Sequence, residues 1–157
     1  MKNEKTLKSD IIFKNLFSAK RNRELLIDLL ESILEVKINT IEVQKEVETD
    51  ISNINEKLGR MDIIATINGK LIVDLEMQNT NYEDTEKRAV FYAGNLIKNS
   101  IKPKEKYDTI KDIAVIWILD YELENGNEEY FTETMTVDKK YYKYEIIKGV
   151  KYYFIEL

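Results

Sequence analysis

Residues 60–78 read RMDIIATINGKLIVDLEMQ, two apolar-alternating stretches on either side of Asn68-Gly69. Asn and Gly both tolerate positive φ, so the pair is a strong hairpin signal. Alternation predicts the faces: Met61, Ile63, Ala65 and Ile67 share one side of the first strand, and Leu71, Val73, Leu75 and Met77 one side of the second. A two-residue turn would pair Ile67 with Lys70 and put the two apolar sets on opposite faces. A three-residue loop, Asn68-Gly69-Lys70 with a bulge, pairs Ile67 with Leu71 and unites them. That register also sets Asp62 opposite Glu76, with Asp74 and Gln78 flanking Glu76 on the same face. Directly opposed strand residues have Cβ atoms about 4.5–5.5 Å apart, close enough for two carboxylates to share one cation. The competing reading is a solvated polar sheet face, the ordinary place for charge.

Working outward, Ser9 or Asp10 is placed to cap a helix carrying Ile12, Phe13, Leu16 and Phe17 at helical spacing. Leu25, Leu26, Leu29, Leu30, Ile33 and Leu34 repeat at steps of three and four, which predicts a second helix. Residues 38–47 partly alternate and supply a first strand. Beyond the hairpin, Asp84 or Thr85 caps a helix to about Ile101, with Ala89, Ala93, Leu96 and Ile97 as its apolar stripe and Pro103 past its end. Arg88 and Tyr92 lie one turn apart on it. Ile113 to Leu119 is a nearly unbroken apolar run, as expected of a strand covered on both faces, and Trp117 within it is expected in the core. Strand, helix, strand implies a right-handed crossover unit. Residues 130–137 and 141–147 suggest strands around a turn at Asp138, and residues 152–157 another. The expected fold class is α/β, a mixed central sheet flanked by helices.

Composition excludes much chemistry. The 157 residues contain no His and no Cys, with 29 acidic against 24 basic residues and a formal charge of −5. A Ser-His-Asp triad, a Cys nucleophile, a zinc finger, a haem site and a disulfide framework all lack their residues. Any metal must be held by oxygen, and any acid or base must be a carboxylate, Lys or Tyr. No apolar run approaches the roughly 20 residues that span a bilayer, and the N-terminus lacks a signal-peptide core, so a cytoplasmic protein with no membrane partner is expected. With one Pro and five Gly there is no visible linker, and one domain over residues 1–157 is expected. Charge is segregated: basic residues gather in the N-terminal stretch and among Lys98, Lys102, Lys104, Lys106 and Lys111, while residues 120–138 hold acids and no base. The net charge therefore weighs little against a nucleic-acid partner. Five Tyr and five Lys interleave in residues 139–153, a mixture compatible with nucleic acid, although half-buried strand tyrosines are the preferred explanation.

An Asp and a Glu on neighbouring strands form a hard-oxygen site suited to Mg²⁺ or Mn²⁺, and phosphoryl chemistry is the natural use of such a site. The ordered set Asp10-Ile11-Ile12-Phe13-Lys14, Met61-Asp62-Ile63, Leu75-Glu76-Met77-Gln78-Asn79 and Arg88-Ala89-Val90-Phe91-Tyr92 resembles the recombination-promoting nuclease (Rpn) and transposase family of the PD-(D/E)XK nuclease superfamily. The resemblance runs over nearly the whole chain and implies a restriction-endonuclease-like core. It also implies Mg²⁺-dependent cleavage of DNA phosphodiester bonds linked to recombination or mobile elements. Carried over, Asp62, Glu76 and the Met77 carbonyl coordinate metal. Gln78 stands where many relatives of the wider superfamily have Lys; it can orient water but carries no charge.

Asp10 matches the family's early acidic position, either orienting the metal site or acting as a helix cap. Lys14 either approaches a phosphate or stays solvated. Arg88 either bridges substrate phosphate or holds Glu76, and Tyr92 either contacts substrate or packs beneath Arg88. The alternative function is a catalytically silent nuclease-like domain that binds DNA or a protein partner. A relative of this family usually continues past an end like Ile155-Glu156-Leu157, which points to a form lacking a C-terminal extension. A homodimer, which would cut both strands, is left open.

Overall fold

The hairpin adopts the register that unites its apolar sets. In the computed structural model, which describes residues 10–44, 62–124, 128–142 and 145–157, strand β2 (Ile63–Ile67) pairs antiparallel with β3 (Leu71–Gln78), Ile67 facing Leu71 and Ile63 facing Leu75. Asn68 and Gly69 take φ values of +50° and +69°, and the Lys70 amide closes the turn onto the Ile67 carbonyl at 3.0 Å. Asn68 also works as a strut. Its Oδ1 accepts the Asn39 and Thr40 amides at 2.9 and 3.1 Å, and its Nδ2 donates to the Lys37 carbonyl at 2.8 Å. The turn is thereby tied to the entry of β1 (Ile41–Val43), the edge strand pairing with β2. Residues 45–47 and Met61, parts of the expected strands, lie outside the described residues.

Helix α3 (Thr85–Ser100) follows the hairpin, and the chain returns in β4 (Asp112–Leu119) parallel to β3. Ile113 through Leu119 are all buried, as their unbroken apolar run requires. After β5 (Phe131–Glu133), β6 (Thr136–Val137) and β7 (Glu145–Ile147), β8 (Val150–Glu156) pairs parallel with β4 and antiparallel with β5. The main sheet has six strands in the order β1-β2-β3-β4-β8-β5, and β6 with β7 forms a separate ribbon. The strand expected over residues 130–137 is thus two strands belonging to different sheets. At the turn between β6 and β7, Asp138 Oδ1 accepts the Lys140 and Tyr141 amides at 2.9 Å each. Tyr141 and Tyr142 are exposed there rather than half-buried in a sheet, whereas Tyr153 of β8 is buried.

Parity along the strands divides the core in two. Val73, Leu75, Met77, Ile63, Ile67, Ala114 and Ile116 pack against α1 (Asp10–Ser18) and α2 (Arg23–Leu34), through Phe13, Phe17, Leu26, Leu30 and Ile33. Leu25 of the α2 pattern turns outward. Ile72, Val115, Trp117 and Phe154 pack against α3 through Ala89, Tyr92, Ala93 and Leu96. Tyr92 joins the apolar stripe expected of α3, and Asp84 precedes the helix without a side-chain cap bond. Among the described residues, no helix is long and apolar enough to cross a membrane.

Candidate active site

Asp74 and Glu76 share strand parity with Ile72, so they point toward α3 and not into water. Asp74 is fully buried and Glu76 is 3 % exposed. The solvated sheet face is excluded for these two residues. Asp62 lies one step before β2, in line with Glu76, and the two are cross-clamped. Glu76 Oε1 accepts the Asp62 amide at 2.7 Å, and Asp62 Oδ2 accepts the Met77 amide at 3.0 Å. The carboxylates predicted to face each other across the hairpin are therefore held together at its open end.

The electrostatics of this cluster are unfavourable for charge. Burial is the main reason the Glu76 carboxyl is pushed well above the usual carboxylate range, with repulsion from Asp74 and Asp62 adding to it and the Asp62 amide opposing. Burial likewise raises Asp74, to about 7, with the Asp62 charge acting in the same direction and Glu76 opposing. Neither oxygen of Asp74 meets a backbone, hydroxyl or basic donor, and the neighbouring Glu76 carboxyl is the group that bonds to it. Two buried carboxyls side by side cannot both be charged without cost unless something supplies positive charge. A divalent cation fits that requirement, and the donors are hard oxygens suited to one. Among the described residues, no three His, Cys, Asp or Glu side chains gather into a ready cage.

Arg88 reaches this face from the first turns of α3. Its Nη1 donates to Gln78 Oε1 at 3.2 Å and its Nη2 to the Tyr92 hydroxyl at 3.3 Å. The guanidinium lies 5.0 Å from the centroid of the Trp117 ring and 5.8 Å from that of Tyr92, and these two rings stack at 5.7 Å. Burial disfavours its charge, but the Tyr92 hydroxyl, Asp84 and Glu76 more than offset this, so its pKa lies above the ordinary Arg value. Gln78 is committed at both ends, since its Nε2 donates to the Thr80 carbonyl at 3.0 Å. Burial raises the Tyr92 hydroxyl, with Arg88 opposing.

The structure thus brings together Asp62, Glu76, Met77 through its amide, Gln78, Arg88 and Tyr92. It sets Asp10 and Lys14 on α1, whose apolar residues pack on the other face of the sheet. Asp10 is the first described residue of that helix, and Ser9 lies outside the described residues. Lys14 is half-buried. Asp74, which alternation places beside Glu76, proves to be fully buried, and that follows only from the packing of α3. Tyr121, bonded to Thr85 at 2.6 Å at the start of α3, carried no periodic signal because it follows the end of β4.

No curated protein and no solved structure matches the chain. A family model described as PD-(D/E)XK nuclease family transposase matches residues 7–157. The mixed sheet with helices on both faces is consistent with the restriction-endonuclease-like core of that family; Glu76-Met77-Gln78 end β3, and Asp62 lies one residue before β2. The chain belongs to the PD-(D/E)XK nuclease family of transposases.

Proposed function

We propose that this protein is a metal-dependent DNA endonuclease that hydrolyses phosphodiester bonds in recombination or the movement of mobile elements. The observation that carries this reading is the clamp between Asp62 and Glu76 beside the fully buried Asp74. PD-(D/E)XK nucleases generally use divalent metals. Asp62, Glu76 and the Met77 carbonyl would hold Mg²⁺ or Mn²⁺, and the ion would offset charge developing on the phosphodiester and lower the pKa of bound water. The chain's own residues then do the remaining work. The two backbone amide bonds fix the carboxylates of Asp62 and Glu76 before any ligand arrives, which limits the reorganisation needed at the reacting centre. Exposed Lys98, Lys102, Lys104 and Lys106 at and beyond the end of α3 supply basic surface for the DNA backbone.

Plasmid nicking in Mg²⁺ or Mn²⁺ tests the proposal, with wild type expected to nick and Asp62→Ala not. Equal nicking by both preparations would assign the activity to a contaminant. The second reading, a silent domain that binds DNA, draws on the absence of a Lys at position 78. A salt-sensitive gel shift with no cleavage in any divalent metal would favour it.

A further inference from the structure

Position 78 poses a chemical question that the hydrogen bonds of the site answer. Where a Lys stands there, its ammonium supplies positive charge to the phosphate; here the side chain is a neutral amide. That amide is instead tied into the fold, its oxygen accepting from Arg88 at 3.2 Å and its nitrogen donating to the Thr80 carbonyl at 3.0 Å, so one lone pair and one N–H are already engaged. We propose that Arg88 is the cationic catalytic residue of the site, delivered from α3 in place of a Lys on β3, and that Gln78 is the positioning residue that holds the guanidinium there.

Several observations converge on this assignment. Arg88 Nη1 lies 3.2 Å from the Gln78 oxygen, so the positive charge that position 78 lacks stands directly beside the end of its side chain. Both hydrogen-bonded partners of the guanidinium, Gln78 Oε1 and the Tyr92 hydroxyl, are uncharged oxygens, so these bonds orient the charge without neutralising it. Stacking over Trp117 and Tyr92 fixes the plane of the fork while leaving further N–H donors for a phosphate. Arg88 is half-buried, so one side of it stays reachable. A planar guanidinium held in this way suits the two oxygens of a phosphodiester.

The inference rests on the nuclease reading, and the test separates the two. Single-turnover cleavage of duplex DNA in Mn²⁺ would be compared for wild type, Asp62→Ala, Arg88→Met and the double variant Gln78→Lys/Arg88→Met, with gel shifts in Ca²⁺ as the binding control. Arg88→Met is expected to cleave roughly 100-fold more slowly, the scale of losing one preorganised charge-stabilising donor, while binding DNA within a few-fold of wild type. The double variant, with its charge returned to β3, is expected to regain at least about tenfold over Arg88→Met, a rescue that a merely structural Arg88 would not allow. If Arg88→Met fails to fold, Arg88→Lys replaces it, with an intermediate rate expected. Wild-type rates in Arg88→Met, or a double variant no faster than the single one, would overturn the inference while leaving the nuclease reading intact. Wild type cutting no faster than Asp62→Ala would overturn both.

Discussion

Asp62 and Glu76 are bound to each other's backbone: Glu76 Oε1 accepts the Asp62 amide at 2.7 Å, and Asp62 Oδ2 accepts the amide of Met77, the residue after Glu76, at 3.0 Å. Each acid is thus a structural tie as well as a candidate ligand, and substitutions separate the two roles. Asp62→Ala strands the Met77 amide and should cost about 1–3 kcal/mol in stability. Asp62→Asn keeps an acceptor and should cost less than about 1 kcal/mol. Both remove the carboxylate, so both should abolish Mn²⁺ binding by isothermal titration. Asp62→Asn binding Mn²⁺ as tightly as wild type would remove Asp62 from the metal site.

The clamp also shows how much of the site was legible. Alternation and the Asn68-Gly69 turn were enough to fix the register, because a slip of one residue would have thrown Ile63, Ala65 and Ile67 to the wrong face. Once the register stood, the facing of Asp62 and Glu76 followed. What alternation left open was the environment of the polar face. Asp74 and Glu76 can be read as solvated or as metal-bound until α3, through Ala89, Tyr92 and Ala93, is seen to pack over this face of the sheet. The bond from Arg88 to Gln78 was equally out of reach, since it joins a helix to a strand end through side chains whose spacing carries no periodic signal. The late strands were misjudged because β5 and β6 are only three and two residues long, too short for period-two patterning to separate them.

Burial of Asp74 makes stability depend on pH in a stated direction. Its pKa is raised from 3.8 to about 7 in the folded protein, so between those values the native state holds a proton that the unfolded chain has released. Stability without metal should therefore fall as pH rises from about 4 to about 7, by up to about 1.4 kcal/mol per pH unit from this group alone. Asp74→Asn should flatten that slope and raise the melting temperature at pH 8, and saturating Mn²⁺ should flatten it in wild type. Thermal melts in EDTA at pH 5, 6, 7 and 8 provide the check. A wild-type melting temperature that climbs across this range, or an Asp74→Asn slope equal to wild type, would contradict the buried-acid account.

Asn68 should matter more than Gly69, although both have positive φ. Gly69 has open space where a Cβ would stand, so Gly69→Ala carries mainly the conformational cost of the left-handed region, about 1 kcal/mol. Asn68→Ala loses in addition the three side-chain bonds to Lys37, Asn39 and Thr40, and should cost about 2–3 kcal/mol by urea denaturation. Its effect should fall on stability and leave Mn²⁺ affinity of the folded protein unchanged, because the turn lies at the opposite end of the hairpin from Asp62 and Glu76. Equal destabilisation by the two variants would mean that the strut to β1 contributes nothing.

Trp117 gives the site its own reporter. It is the sole tryptophan of the chain, fully buried, paired in register with Glu76, stacked on Tyr92 and 5.0 Å beneath the Arg88 guanidinium. Its indole N–H is buried with no hydrogen-bond partner, so emission should be blue-shifted as for an apolar environment. A phosphate that engages Arg88 would move the cation relative to the ring and change the emission intensity. Titrating duplex DNA into wild type in Ca²⁺ should therefore change Trp117 fluorescence in step with the gel shift. Arg88→Met should keep the blue-shifted maximum but lose the response. An identical response in both proteins would show that DNA perturbs the ring by another route and that Arg88 does not meet the phosphate.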